Sequence, residues 1–360
     1  MSRKYYDWGK TFSYQTGTQG EFCLVIGGKN IGKTFGIRAS CIKRFLSNGE
    51  LFVEICRTKD EKKMVSAGYF DKLQELNQFE GYIFRTTGNE GYIAKEPAKN
   101  PETGEYTEKP NWKLICYFVS LTTFQTEKKR TFKRPTRFIF DEAVIDRKDR
   151  YHTYLRSEYL VLANLLDSVS RQQPNGYQYR VYLLGNSCDL TCPYLRYLGI
   201  NKPPEYGYSF WNEKNTLLHY VEPWDAEDQK RNTVVGRMLR GMKEADMVFG
   251  NQFDVSDTGD IEKKGPGAKY AFAIKYADNT FSVWMDYGQG LTYVQTKMPK
   301  QARNVFTLTK RDASLDYQAV DKANGYIKSL NQLWYSGLMR FDSPVTRELF
   351  LQVLDFLGVR

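Results

Sequence analysis

The apolar run Phe22-Cys23-Leu24-Val25-Ile26 opens directly into Gly27-Gly28-Lys29-Asn30-Ile31-Gly32-Lys33-Thr34, a strand-like segment followed by G-x-x-x-x-G-K-T. This order fits a strand, a phosphate-binding loop and a helix, the start of a βαβ unit. Gly27 and Gly32 allow backbone conformations in which successive N–H groups turn inward around a β-phosphate. Lys33 can reach β- and γ-phosphate oxygens, and the Thr34 hydroxyl can ligate Mg²⁺. A helix starting near Lys33 would add its positive end. A Gly-rich turn matching by chance is the alternative, and the strand directly before it argues against that. The expected ligands are ATP and Mg²⁺, cradled by Gly27, Gly28, Lys29, Asn30, Ile31, Gly32, Lys33 and Thr34.

Arg137-Phe138-Ile139-Phe140-Asp141-Glu142 is a second apolar strand, ending in two carboxylates. Asp141 suits Mg²⁺, held with Thr34, and Glu142 suits a general base that polarises the attacking water. A surface Asp-Glu pair at a strand end is common in isolation; an upstream phosphate loop makes it less ordinary. Thr34 and Asp141 stand too far apart for one crossover helix, which leaves room for further strands. That spacing favours the additional-strand, catalytic-glutamate branch over the kinase–GTPase branch. The guanine motif N-K-x-D is missing, since Asn201-Lys202-Pro203-Pro204 only begins like it. Arg180 to Ser187 reads as another strand, with Asn186 at its tip placed as a sensor of the attacking water or γ-phosphate. A turn-forming Asn after Gly185 accounts for it equally well.

At 360 residues, 41% hydrophobic and 15% aromatic, the chain can fill more than one core, and two or three domains are expected. No apolar run reaches ~18 residues, so no membrane span is expected. The first residues carry no apolar signal core. Tyr5, Tyr6 and Trp8 could stack on a nucleotide base, but plain packing is the favoured account of them. Cys23, Cys56 and Cys116 lie in apolar runs, and with Cys41, Cys188 and Cys192 they show no zinc spacing. His152 and His219 are isolated. Reduced thiols in a cytoplasm fit best, with no metal implied beyond Mg²⁺.

The net charge of +10 points to a polyanionic partner. Lys128, Lys129 and Arg130, followed by Lys133, Arg134 and Arg137, form one basic group beside the second strand. Arg57, Lys59, Lys62 and Lys63 form another, and Arg231, Arg237, Arg240 and Lys243 a third. For any one group, a solvated basic face is the competing account.

Residues from 11 to about 60 read as strand, loop, helix (Lys33 to Leu46) and strand (Leu51 to Cys56). Gly81–Arg85 and Gly91–Ala94 flank a hairpin turn, and Trp112 to Leu121 is a further strand. Tyr154 to Ser170 has helical spacing. After Pro223 the composition changes, with a short charged helical stretch from Ala226 to Met247. Strands follow at Tyr270–Tyr276, Thr280–Asp286 and Leu291–Gln295, then helices at Gln318–Tyr335 and Pro344–Leu357. The expected fold is α/β, with a P-loop ATPase domain over 1–226, a short charged helical segment over 227–257 and an α+β domain over 258–360.

With these elements in place, the chain resembles the DNA-packaging ATPases (encapsidation proteins) of phi-twenty-nine-type short-tailed bacteriophages, over nearly its whole length. The resemblance rests on the ordered set Val25 to Thr34, Gln125-Thr126-Glu127-Lys128, Phe140-Asp141-Glu142, Leu165 to Arg171 and Gly185-Asn186-Ser187. It continues through Asn251-Gln252-Phe253, Asn304 to Thr309 and Gly337 to Asp342. It implies a homopentameric ring on the portal of an empty procapsid, driving double-stranded DNA inward in the host cytoplasm, absent from the mature virion, and in several members bridged by a packaging RNA. It also implies that Arg171 is an arginine finger reaching a neighbour's site, that Lys59 acts there too, that the segment over 227–257 is a small helical linker domain, and that the last domain has a ribonuclease H-like fold. An ordinary helix C-terminal arginine is the other account of Arg171.

The last domain departs from a working nuclease. A two-metal site needs several converging carboxylates, yet Ala271-Phe272-Ala273-Ile274-Lys275-Tyr276 carries none, and Asp278 and Asp286 read as turn residues. The domain is therefore expected to be a vestigial nuclease. DNA contact is expected at Lys128, Lys129 and Arg130. A terminase with a live nuclease, a helicase and a non-enzymatic nucleic-acid scaffold are the alternatives.

Overall fold

The computed structural model describes residues 5–28, 31–124, 130–145, 154–186, 191–200, 204–211, 215–222, 234–238, 259–276, 279–310, 313–321 and 324–358. The chain divides into two compact units, one over residues 1–189 and 205–252, the other over 190–204 and 253–360. In chain order the elements up to residue 238 are α1 (Trp8–Thr18), β1 (Phe22–Ile26), α2 (Lys33–Asn48), β2 (Leu51–Cys56), α3 (Lys59–Ala67), α4 (Asp71–Glu75), β3 (Tyr82–Thr87), β4 (Glu90–Lys95), β5 (Lys113–Ser120), β6 (Pro135–Val144), α5 (Glu158–Ser170), β7 (Arg180–Gly185), α6 (Pro193–Tyr197), β8 (Gly207–Trp211), β9 (Thr216–Tyr220) and α7 (Val234–Met238).

The strands of the first unit form one sheet in the order β3-β4-β5-β2-β6-β7-β1-β9-β8. The six strands from β5 to β9 run parallel, and antiparallel hairpins close both edges. Parallel strands covered on both faces are apolar nearly throughout, which is why β1, β2 and β7 are buried at almost every position. Their core includes Phe52, Phe118, Ile139 and Tyr182.

The P-loop strand β1 and the carboxylate strand β6 are not neighbours: β7 lies between them. The long stretch from α2 to β6 supplies β2 to β5, all on the far side of β6 from β1. The intervening strand comes instead from downstream. The expected strand around residue 11 is helix α1, in which Trp8, Thr11 and Gln15 form one buried stripe and the Asp7 side chain accepts from the Lys10 N–H at the cap.

The second unit continues with β10 (Lys269–Tyr276), β11 (Asn279–Asp286), β12 (Leu291–Gln295), β13 (Val305–Thr307), β14 (Gln318–Ala319), α8 (Gly325–Tyr335), β15 (Met339–Phe341) and α9 (Pro344–Leu357). Its sheet has the order β14-β13-β10-β11-β12-β15. The three expected strands form an antiparallel meander, with β13 and β15 added in parallel beside β10 and β12. The helix expected from Gln318 starts only at Gly325, where the Asn324 side chain caps the Tyr326 N–H; Gln318–Ala319 pairs with β13 instead. α9 starts on a Ser343 cap with Pro344 in its first turn, and Phe350 packs on Phe281 and Phe341.

Residues 190–204 cluster with this second unit although the expected first domain ran to 226, and Arg196 Nη2 donates to Asn279 Oδ1 at 2.5 Å. Of the expected linker over 227–257, only α7 falls within the described residues.

Candidate nucleotide-binding site

The C-terminal end of β1 turns sharply at Gly27. A Cβ there would stand 2.9 Å from Val221 Cβ and 3.0 Å from Ile31 Cδ1, so glycine alone fits without displacing the packing. At Gly32 the φ of 86° lies in the left-handed region, and its carbonyl then accepts the first helical bond of α2 from Gly36 N–H at 2.9 Å. Lys33 begins that helix and is only 4% exposed. Its Nζ donates to Gly27 O at 2.9 Å, Gly28 O at 2.8 Å and Asn186 Oδ1 at 2.8 Å. These acceptors are neutral, so a ligand with anionic oxygens can displace them with stronger, charge-assisted bonds. Lys29 and Asn30 lie outside the described residues.

Beside β7, strand β6 is irregular where the chemistry is expected. Phe140 pairs with Leu183, but the next partner of Gly185 is Val144, so β6 carries two residues more than β7 over this interval. Such a bulge re-aims side chains. Glu142 sits on it, exposed and with a φ of 52°, and its N–H donates to Asp141 Oδ1 at 3.0 Å. A non-glycine residue in that region costs of order 1–3 kcal/mol and persists only where its surroundings hold it.

Arg57, just past β2, does the holding. Its guanidinium donates to Glu142 O at 3.2 and 3.3 Å and to Ala143 O at 3.1 Å. The same fork grips Glu158 at the start of α5, with Nε to Oε2 at 2.8 Å and Nη2 to Oε1 at 3.1 Å. Arg57 is 4% and Glu158 1% exposed, and the Phe140 and Tyr154 rings flank the guanidinium.

A second buried ionic contact lies on the α2 face of β2. Arg38, one helical turn beyond Thr34, pairs with Glu54, whose other oxygen accepts from Tyr69 Oη at 2.8 Å. Burial pushes the Glu54 carboxyl up while Arg38 draws it back. Neither pair was anticipated from sequence. An acid inside the apolar run Leu51–Cys56 was the one available signal for Glu54; Arg57 and Glu158 are too far apart in sequence to be matched.

The remaining expected site residues are spread out. Thr34 and the half-buried Asp141 offer hard oxygens of the kind Mg²⁺ takes. Arg171 caps the C-terminus of α5, 72% exposed, and pairs with Asp167 at 2.6 Å. Lys59 opens α3 and is exposed, whereas Arg57 from the same basic group is buried. Lys128 and Lys129 lie outside the described residues. Arg130 donates to Glu90 Oε1 at 2.8 Å and Asn89 O at 3.2 Å, with the Tyr117 ring against its guanidinium.

The model of the podovirus DNA encapsidation protein (Gp16) family matches residues 3–356. The chain is 29% identical over 339 residues to a DNA packaging protein of Bacillus phage B103, an alignment covering 94% of this chain and 97% of that one. Against the DNA packaging protein of Bacillus phage phi29 the identity is 28% over 339 residues, covering 94% of each. Among solved structures it is similar to a chain of the bacteriophage Phi-29 viral genome packaging motor assembly, with a TM-score of 0.67, 26% identity and coverage of 99% of this chain and 100% of that one. A chain of the Phi-28 gp11 DNA packaging motor shares the fold, with a TM-score of 0.60, 16% identity and coverage of 100% and 99%. Motifs, fold and end-to-end matches agree: the chain belongs to the podovirus DNA encapsidation protein family.

Proposed function

We propose that this chain is the ATP-hydrolysing subunit of a phage genome-packaging motor, driving double-stranded DNA through the portal of a procapsid as a homomeric, pentameric ring. The observation that carries the chemistry is the buried Lys33 ammonium, held by P-loop carbonyls and by Asn186 from the neighbouring strand. Lys33 would exchange those oxygens for β- and γ-phosphate oxygens, freeing Asn186 to orient the attacking water. Thr34 and Asp141 would hold Mg²⁺, which would supply charge neutralisation on the phosphates. Glu142, presented by the β6 bulge, takes a proton from that water as general base. The place of β7 between β1 and β6 supports the additional-strand, catalytic-glutamate class.

The exposed positions of Arg171 and Lys59 support action on a neighbouring copy. Among the described residues, Arg171 is tied by a single surface ion pair worth ~0.2–1 kcal/mol, which an incoming phosphate can replace. A relative matched over its full length belongs to a packaging motor assembly, which favours the ring. Lys128 and Lys129 remain the DNA contacts of choice, with Arg130 engaged on the β4 edge. A packaging RNA is a further partner, and the host cytoplasm the place of action.

The second unit's mixed sheet supports a ribonuclease H-like domain without nuclease activity. Asp286 Oδ1 accepts from the Gly288 and Gln289 N–H groups, the work of a turn residue, while Asp278 lies outside the described residues. Glu142→Gln should keep ATP binding and stop turnover, and plasmid DNA should stay intact with Mg²⁺ or Mn²⁺. Hydrolysis by Glu142→Gln equal to wild type would refute the catalytic assignment, and plasmid cleavage would favour the live-nuclease alternative.

A further inference from the structure

Residues Tyr5 to Trp8 run along the outer lip of the glycine loop and are fastened to it on both sides of Gly32. Tyr6 N–H donates to Ile31 O at 2.8 Å, and Trp8 Nε1 donates to Lys33 O at 2.8 Å. Tyr6 and Trp8 are buried edge to face at 5.0 Å, and the Tyr6 hydroxyl is shared between Thr11 Oγ1 at 2.7 Å and His219 Nδ1 at 2.8 Å. The Trp8 ring approaches α2 so closely that a Cβ on Gly36 would lie 2.5 Å from Trp8 Cδ1. This segment is therefore a fixed wall beside the start of α2.

Tyr5 is the member of that wall that packing does not explain. Its side chain is 59% exposed, yet its Cδ1 lies 3.0 Å from where a Cβ on Gly32 would be. Among the described residues no other ring lies against it. A half-exposed aromatic ring thus stands against the residue immediately before Lys33, with its main chain held by buried neighbours. A triphosphate seated on Lys33 would extend its nucleoside away from the inward-turned N–H groups of the loop, to the rim on which Tyr5 stands.

Resting on the nucleotide reading of the site, we propose that Tyr5 is the stacking platform for the nucleotide base. The ring distinguishes a nucleoside triphosphate from bare polyphosphate. Because stacking grows with the π-surface offered, it also favours purines over pyrimidines.

The test measures dissociation constants of the full-length chain with Mg²⁺ for ATP, CTP and inorganic tripolyphosphate, in wild type, Tyr5→Ala and Tyr5→Trp. Base–aromatic stacking of ~1–3 kcal/mol converts to a roughly 5- to 150-fold change in dissociation constant. Tyr5→Ala should weaken ATP within that range, narrow the gap between ATP and CTP, and leave tripolyphosphate unchanged; Tyr5→Trp should restore ATP. Unchanged ATP binding in Tyr5→Ala would overturn the proposal. So would an equal loss for ATP and tripolyphosphate, which would mean that Tyr5 only shapes the loop. A wild type that bound neither ligand would defeat the nucleotide reading itself, and the proposal with it.

Discussion

Replacing Arg57 by leucine should be the most damaging single change near the site that touches no phosphate. The variant leaves the Glu158 carboxylate buried without its guanidinium and the Glu142 and Ala143 carbonyls without their donor. Breaking a buried pair from one side costs ~3–5 kcal/mol, whereas replacing both partners by apolar groups is often nearly neutral. At a urea slope of ~3 kcal/mol/M, the midpoint of the first unit should fall by roughly 1–1.7 M. Fluorescence of the buried Trp8 reports that transition. Arg57→Leu with Glu158→Leu should recover at least half of the loss. Turnover should fall more than ATP affinity, since Glu142 loses the contacts that hold its left-handed backbone. A single variant within ~1 kcal/mol of wild type, or a double variant as costly as both singles added together, would refute this reasoning.

Two further outcomes are expected. Arg171→Ala should bind ATP normally but lose ~10³–10⁵ in assembled turnover, and mixing it with Glu142→Gln should restore part of the activity by pairing an intact finger with an intact base; mixtures that stay inactive would remove the trans role. Burial, with a smaller push from Lys10, lowers His219 to about 4, so between ~6.5 and ~4 the unfolded chain binds a proton that the folded one refuses. Stability should therefore drop as pH falls through that window and level off below it, and His219→Gln should flatten this segment of the curve measured by thermal melts; an unchanged curve would refute the assignment.

What sequence revealed was governed by local chemistry. Gly27, Gly32 and Lys33 are dictated by the loop itself, and the apolar runs of β1, β2 and β7 by burial on two faces. Pro344 after Ser343 marks the start of α9 unmistakably. What stayed hidden depended on partners distant in sequence. Thr11, Phe12 and Tyr14 favour strands intrinsically, yet Trp8, Thr11 and Gln15 become a buried helical face only because a sheet lies beneath them. The bulge at Glu142 comes from a mismatch between β6 and β7 that neither strand shows alone. Arg57 looked like one more surface charge until Glu158 was folded against it.

The way α5 is mounted carries a mechanical implication. Its first residue is clamped by Arg57 to the strand that bears Glu142, and its last turn leads into Arg171. A helix of 13 residues is a stiff rod of about 20 Å. A tilt of only ~5° at the clamped end would swing the far end by roughly 2 Å, enough to make or break a hydrogen bond. The bulge and the arginine are thus two ends of one lever. A change of contacts around Glu142 would be delivered, geared up, at Arg171.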